Sequence, residues 1–215
     1  MRAHPHDPDS EPGLTRDEAG NASGLEIGPC RFGEPEQRWM LELAREALTA
    51  AITRVDSSSL SQAPPGLDEH KSCFVTLTKH GELRGCVGNL MPHGTLHQMI
   101  VENARRAALR DPRFPPVQPG ELAEVKIEIS VLSEARPLSY GSPEELLGLL
   151  QPHQDGVLLR IGSSVAMFLP QVWQHLPDKV QFLERLAQKA GYPPSAWREK
   201  DTSVSVYSVQ SFSEN

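Results

Sequence analysis

Residues 72–90 read SCFVTLTKHGELRGCVGNL, and the reading of this stretch decides the fold. Segments 72–77 and 83–90 are rich in Val, Thr, Leu and Phe, the side chains that suit a pleated, half-buried surface. Lys79-His80-Gly81-Glu82 between them is a short polar connection with a glycine, so the two segments predict a β-hairpin. A hairpin calls for antiparallel neighbours, and the flanking sequence supplies them.

Downstream, Val125, Ile127, Ile129 and Val131 alternate with Lys126, Glu128 and Ser130, the period-two pattern of a strand with one buried and one polar face. Segments 156–161 and 165–169 predict a second hairpin around Gly162-Ser163-Ser164, and Val204, Val206 and Val209 predict one closing strand. Helices are expected over 34–53, with Pro35 in the first turn, over 95–110, stopped by Pro112, and over 179–190, ended by Gly191. Ser142-Pro143-Glu144-Glu145 has the cap, proline and early carboxylates of a further helix start. Hairpins dominate and no regular strand–helix–strand series is present, so the fold class is α+β: a mainly antiparallel sheet with flanking helices. Residues 1–30 combine Pro, Gly, Ser and acids with few large apolar groups and are expected to form a disordered acidic tail. Residues 31–215 form the domain.

Charge and composition exclude several classes. The net charge is −7, of which the first 25 residues contribute −3, and no basic stripe exists to displace counterions from phosphates, so nucleic-acid binding is not expected. The apolar runs fall short of the roughly 20 residues that cross a bilayer. The start lacks the apolar core of a secretory signal, and Cys30, Cys73 and Cys86 form neither a disulfide framework nor a metal knuckle. A reduced cytoplasmic protein without a cofactor of its own is the expectation.

Chemistry concentrates in Leu83-Arg84-Gly85-Cys86-Val87-Gly88. On a regular strand Arg84 and Cys86 leave the same face, and a guanidinium beside a thiol favours the nucleophilic thiolate. The alternative is a small buried Cys86, an Arg84 paired with a distant acid, and glycines that form a bulge. No histidine stands at a spacing that dictates contact with Cys86. His93 and His97 would share a helix face only if the helix began before Thr95, and no third metal ligand is indicated. In Asp111-Pro112-Arg113-Phe114, Arg113 is either an anion clamp oriented by Asp111 or half of a pair that pins the loop. Glu128 lies on a polar strand face, explained by solvent as well as by acid–base work.

Taken together, this hexapeptide, Cys73-Phe74-Val75-Thr76-Leu77, the loop at 111–116, Asp155-Gly156, Phe168-Leu169-Pro170-Gln171-Val172 and Lys189-Ala190-Gly191 resemble the AMMECR family. Bacterial members of that family are called AmmeMemoRadiSam system protein A. Val87 stands where isoleucine is more usual. The resemblance implies an α+β structure with a smaller second lobe and the hexapeptide lining a cleft between the two. It implies a Memo-like protein and a radical SAM protein as partners, and it adds Asp111, Arg113, Glu128 and Gln171 to Arg84 and Cys86 as candidate cleft residues. No reaction comes with it. The expectation is a small-molecule enzyme or enzyme component with Cys86 as nucleophile and Arg84 holding the thiolate or a substrate anion. The alternative is a non-catalytic partner protein that binds through the same cleft.

Overall fold

The computed structural model describes residues 32–54, 67–89 and 91–214, so the tail and the loop expected at 57–66 lie outside the described residues. Those residues form four α-helices and two four-stranded, fully antiparallel sheets, the α+β class expected. The first sheet has the order β2–β1–β3–β8, with β1 at Cys73–Lys79, β2 at Glu82–Gly88, β3 at Val125–Leu132 and β8 at Val209–Ser213. The β1–β2 turn places His80 at φ 53° and Gly81 at φ 84°, the two left-handed residues that a two-residue type I′ turn requires.

Alternation along these strands sorts their side chains. Cys73, Val75, Leu77, Ile127, Ile129 and Val131 are buried in one apolar core with Met40, Leu48 and Ile100. The last three come from α1 (Glu34–Thr53) and α2 (Leu96–Leu109). α2 starts where Thr95 and Gln98 form a capping box, so His93 falls outside the helix. Its inner face carries Ala104, Ala107 and Ala108, small side chains that let the helix lie close on β2.

The second sheet has the order β4–β7–β5–β6, with β4 at Arg136–Pro137, β5 at Gly156–Ile161, β6 at Ser164–Phe168 and β7 at Thr202–Tyr207. With α3 (Pro143–Leu149) and α4 (Lys179–Lys189) it encloses its own core around Trp173, Phe182 and Trp197. Trp173 and Phe182 stack at 3.6 Å between ring centroids.

One expectation is corrected. The single closing strand is two strands in different sheets, because the chain leaves β7 at Tyr207 and enters β8 at Val209. Ser208 at the crossing accepts from the Ser133 N–H at 3.0 Å and donates its own N–H to the Ser133 hydroxyl oxygen at 3.0 Å. Two chain passages between the lobes are thereby tied together. Leu132, Met167 and Tyr207 form a small junction core, against which Phe74 of β1 packs.

Candidate functional site

The hydrogen-bond register of the first sheet aligns its outward face in rows. Cys86 pairs with Thr76, Thr76 with Glu128, and Glu128 with Ser213. Two residues along, Gly88 pairs with Phe74, Phe74 with Ser130, and Ser130 with Ser211. Paired residues in neighbouring strands project to one side, so Cys86, Thr76 and Glu128 share the face opposite the helices. Gly85, on the other face, is buried against Ala107 of α2.

Cys86 is half-buried, and the Thr76 hydroxyl donates to its sulfur at 3.3 Å. Its backbone is held from the open edge of the sheet. The Cys86 N–H donates to Asp111 Oδ2 at 2.8 Å, and the Arg113 guanidinium donates to the Cys86 carbonyl at 3.4 Å. Asp111 and Arg113 therefore satisfy the strand's donor and acceptor as a neighbouring strand would, which also protects the edge from pairing with another chain. The two are joined by their own ion pair, Nε to Oδ1 at 3.0 Å and a terminal nitrogen to Oδ2 at 2.7 Å.

Asp111 is the buried member, its side chain only 3% exposed, while that of Arg113 is 52% exposed. Hydrogen bonds from the Arg113 guanidinium first, then from the backbone N–H groups of Cys86 and Arg113, hold the Asp111 carboxyl well below the usual carboxylate range. The Asp111 carboxylate raises the pKa of Arg113, and the Cys86 side chain adds to that rise. The cation that stands against Cys86 is thus Arg113.

Arg84 is engaged elsewhere. Leu77 pairs with Gly85 and Thr78 with Leu83, so Arg84 is the extra residue of a β-bulge, a feature that re-aims side chains. Its guanidinium makes a forked pair with Glu121, at 3.1 and 2.9 Å, and donates to the Pro115 carbonyl at 2.9 Å. This side chain, 12% exposed, fastens the hairpin to the 115–121 segment. The structure therefore corrects the expected Arg84–Cys86 partnership.

The fork also makes a pH prediction. Arg84 first, then the Gln118 N–H and Lys79, bring Glu121 down to about 2 from an ordinary value of 4.5. A depressed carboxylate stabilises the fold fully above its unfolded pKa and loses that contribution as pH falls through the folded one. Glu121→Gln should cost about 2 kcal/mol at neutral pH, the scale of a charge-assisted hydrogen-bond pair. It should also flatten the pH dependence of urea-unfolding stability between pH 4.5 and 2. Parallel slopes for the two proteins in that window would remove Glu121 from the acid response.

Among the remaining candidates, Glu128 stands in the Cys86 row two strands away, about 10 Å between backbones. Its carboxylate forms no hydrogen bond or ion pair with another described residue. Gln171 lines a separate cavity of about 330 Å³ with His153, Gln174, Ser208 and Ser211, at the opposite edge of the sheet. None of Arg84, Cys86, Asp111, Arg113 and Glu128 borders that cavity. His93 bonds to Glu102 and His97 to Thr95, and no cluster of three metal-ligating side chains exists among the described residues. Cys73, one turn of the pleat away from the surface, is sealed in the core, where burial pushes its thiol up to about 12. Thr76 and Glu121 were not singled out in the sequence. The position of Thr76 follows once the hairpin register is drawn, whereas nothing local marks Glu121 as the partner of Arg84.

Known proteins share this architecture. The crystal structure of the uncharacterized protein PH0010 from Pyrococcus horikoshii superposes with a TM-score of 0.77 at 31% identity, over 86% of this chain and 94% of that one. Protein MK0488 of Methanopyrus kandleri is 35% identical over 189 residues, 83% of this chain and 88% of its own length. A protein of Thermofilum pendens is 37% identical over 200 residues, 86% and 92% of the two chains. The profile of the AMMECR1 family matches residues 41–212, which include Cys86, Thr76, Glu128 and the Asp111–Arg113 brace. On that match the chain belongs to the AMMECR1 family.

Proposed function

We propose that the outward face around Cys86 is a covalent site for a small anionic molecule, and that the chain is an enzyme or enzyme component using it. The Cys86 sulfur attacks an electrophilic carbon: a C–S bond forms, the carbon's π electrons move onto its heteroatom, and the thiol proton passes to water. Arg113, half exposed beside the sulfur, binds the anionic group of the ligand, with Asp111 positioning it. The observation that carries the reading is the contrast within one hairpin. Cys73 is fully buried among apolar groups, whereas Cys86 is half-buried, receives a hydroxyl hydrogen bond at its sulfur and has the Arg113 guanidinium on its carbonyl. The family resemblance adds a Memo-like protein and a radical SAM protein as proposed partners for this chemistry.

Alkylation of the native protein, mapped by peptide mass spectrometry, tests the reading. Iodoacetamide should modify Cys86 at least tenfold faster than Cys73, and anionic iodoacetate should gain on iodoacetamide at Cys86 through Arg113. Arg113→Met should remove that gain while leaving the fold intact. Equal labelling of the two cysteines would show that the sulfur is no more available than a core thiol and would end the proposal.

A further inference from the structure

The face that carries Cys86 runs on beneath the second lobe. Beyond the Cys86 row comes Phe74, half-buried, whose ring occupies the space over Gly88 that a Cβ would fill. Beyond Phe74 comes Ser72, in the wall of a lobe-junction cavity of about 370 Å³. Its apolar wall is Leu132, Leu158, Met167 and Tyr207, drawn from both sheets, while His70, Lys71 and Glu134 stand among its polar residues. Met91, also in the wall, is 73% exposed, the most exposed large apolar side chain among the described residues. A flexible thioether on an apolar cavity between lobes is a device for adapting to ligands, and lobe junctions are preferred ligand sites. From Thr76 in β1 to Ser72, the residue just before that strand, is four extended residues, about 13 Å, with the part-exposed Phe74 ring between.

Resting on the Cys86 reading above, we propose that the ligand is amphipathic. Its reactive head meets Cys86 and Arg113, and an apolar chain of about ten bonds crosses Phe74 into the lobe-junction cavity. The substrate class is a long-chain organic acid or acyl compound rather than a compact polar metabolite. Along the face stand a cation at one end, an aromatic ring in the middle and, at the other, an apolar wall edged by His70, Lys71 and Glu134.

The test uses the full chain and a graded series of N-alkyl iodoacetamides with butyl, octyl and dodecyl tails, read out as labelling rates at Cys86. The octyl and dodecyl reagents should outpace iodoacetamide at least tenfold, and the butyl reagent should not, because its tail stops short of the cavity. Ala135→Trp, at an exposed position of the cavity wall, should abolish the tail advantage while leaving the iodoacetamide rate unchanged. Leu158→Phe is a second filling variant, and thermal melts confirm that both fold. A tail advantage that is absent, independent of length, or intact in both filled variants overturns the inference and leaves the Cys86 reading in place. Failure of iodoacetamide itself to prefer Cys86 over Cys73 removes both.

Discussion

Asp111→Ala is expected to lower stability by about 3 kcal/mol, although the residue lies in a loop and belongs to neither core. The carboxylate is buried and accepts from the Cys86 N–H, the Arg113 N–H and the Arg113 guanidinium. Removing it leaves the Cys86 N–H on an open strand edge without its acceptor and releases Arg113 from the geometry in which it faces the thiol. The cost sits at the lower end of the range for broken buried pairs, because Arg113 is half exposed and water can receive it. Asp111→Asn should fall between, since an amide oxygen still accepts one N–H but no longer opposes the guanidinium charge. Arg113→Met should cost about 1 kcal/mol, because the carboxylate keeps its two backbone donors. The order Ala, Asn, then Arg113→Met, measured by urea denaturation at pH 7, is the signature of a carboxylate anchor. An Asp111→Ala cost under about 1 kcal/mol would mean that the loop holds β2 by other contacts. The carboxyl is held well below the usual range, so its contribution is complete above the ordinary value of 3.8 and is lost progressively as pH falls below it, a loss that overlaps the lower part of the Glu121 window and continues into stronger acid.

How far this brace could be read in the sequence follows from the range of each signal. The hairpin, the alternation of 125–131 and the helix starts at Thr95 and Ser142 are local patterns, and each appears in the structure within a residue or two. The period-two pattern slips phase between Val206 and Val209, which a bulge within one strand explains as well as a crossing does, while the change of sheet is set by the distant Ser133. The same limit applies to the site. Alternation puts Arg84 beside Cys86 only on a regular strand, and the bulge that breaks regularity depends on the fork to Glu121, 37 residues away. The sequence of the 111–116 loop marks Asp111 and Arg113 as a pair that can serve either as a clamp or as a pin. The structure makes Asp111 a pin for the backbone of Cys86 and leaves Arg113 partly exposed, so the two readings describe different members of one pair.

The second large effect is steric. Gly85→Ala should cost about 3 kcal/mol, because a Cβ at this position would overlap the Ala107 carbonyl oxygen and lie 3.2 Å from its carbon. The obstacle is helix backbone, which cannot rotate aside as a side chain can. Relief requires α2 to lift from the sheet, and α2 is fixed through Leu96, Met99, Ile100 and Ala104 in the same core. Nor can β2 retreat, since β1 holds it on one side and Asp111 on the other. Gly88→Ala meets the ring of Phe74 instead, a side chain with some freedom to swing toward the lobe junction, so its cost should be smaller. Gly120→Ala, with nothing within 4 Å of the added methyl group, should be nearly neutral. Thermal unfolding of the three variants should therefore rank Gly85, Gly88, Gly120, with the first lowering Tm by about 10 °C for a chain of this size. A Gly85 variant as stable as the Gly120 variant would show that the strand and helix separate freely. The position of Cys86, which inherits its outward direction from the burial of Gly85 against α2, would then have to be set by the Asp111 hydrogen bond alone.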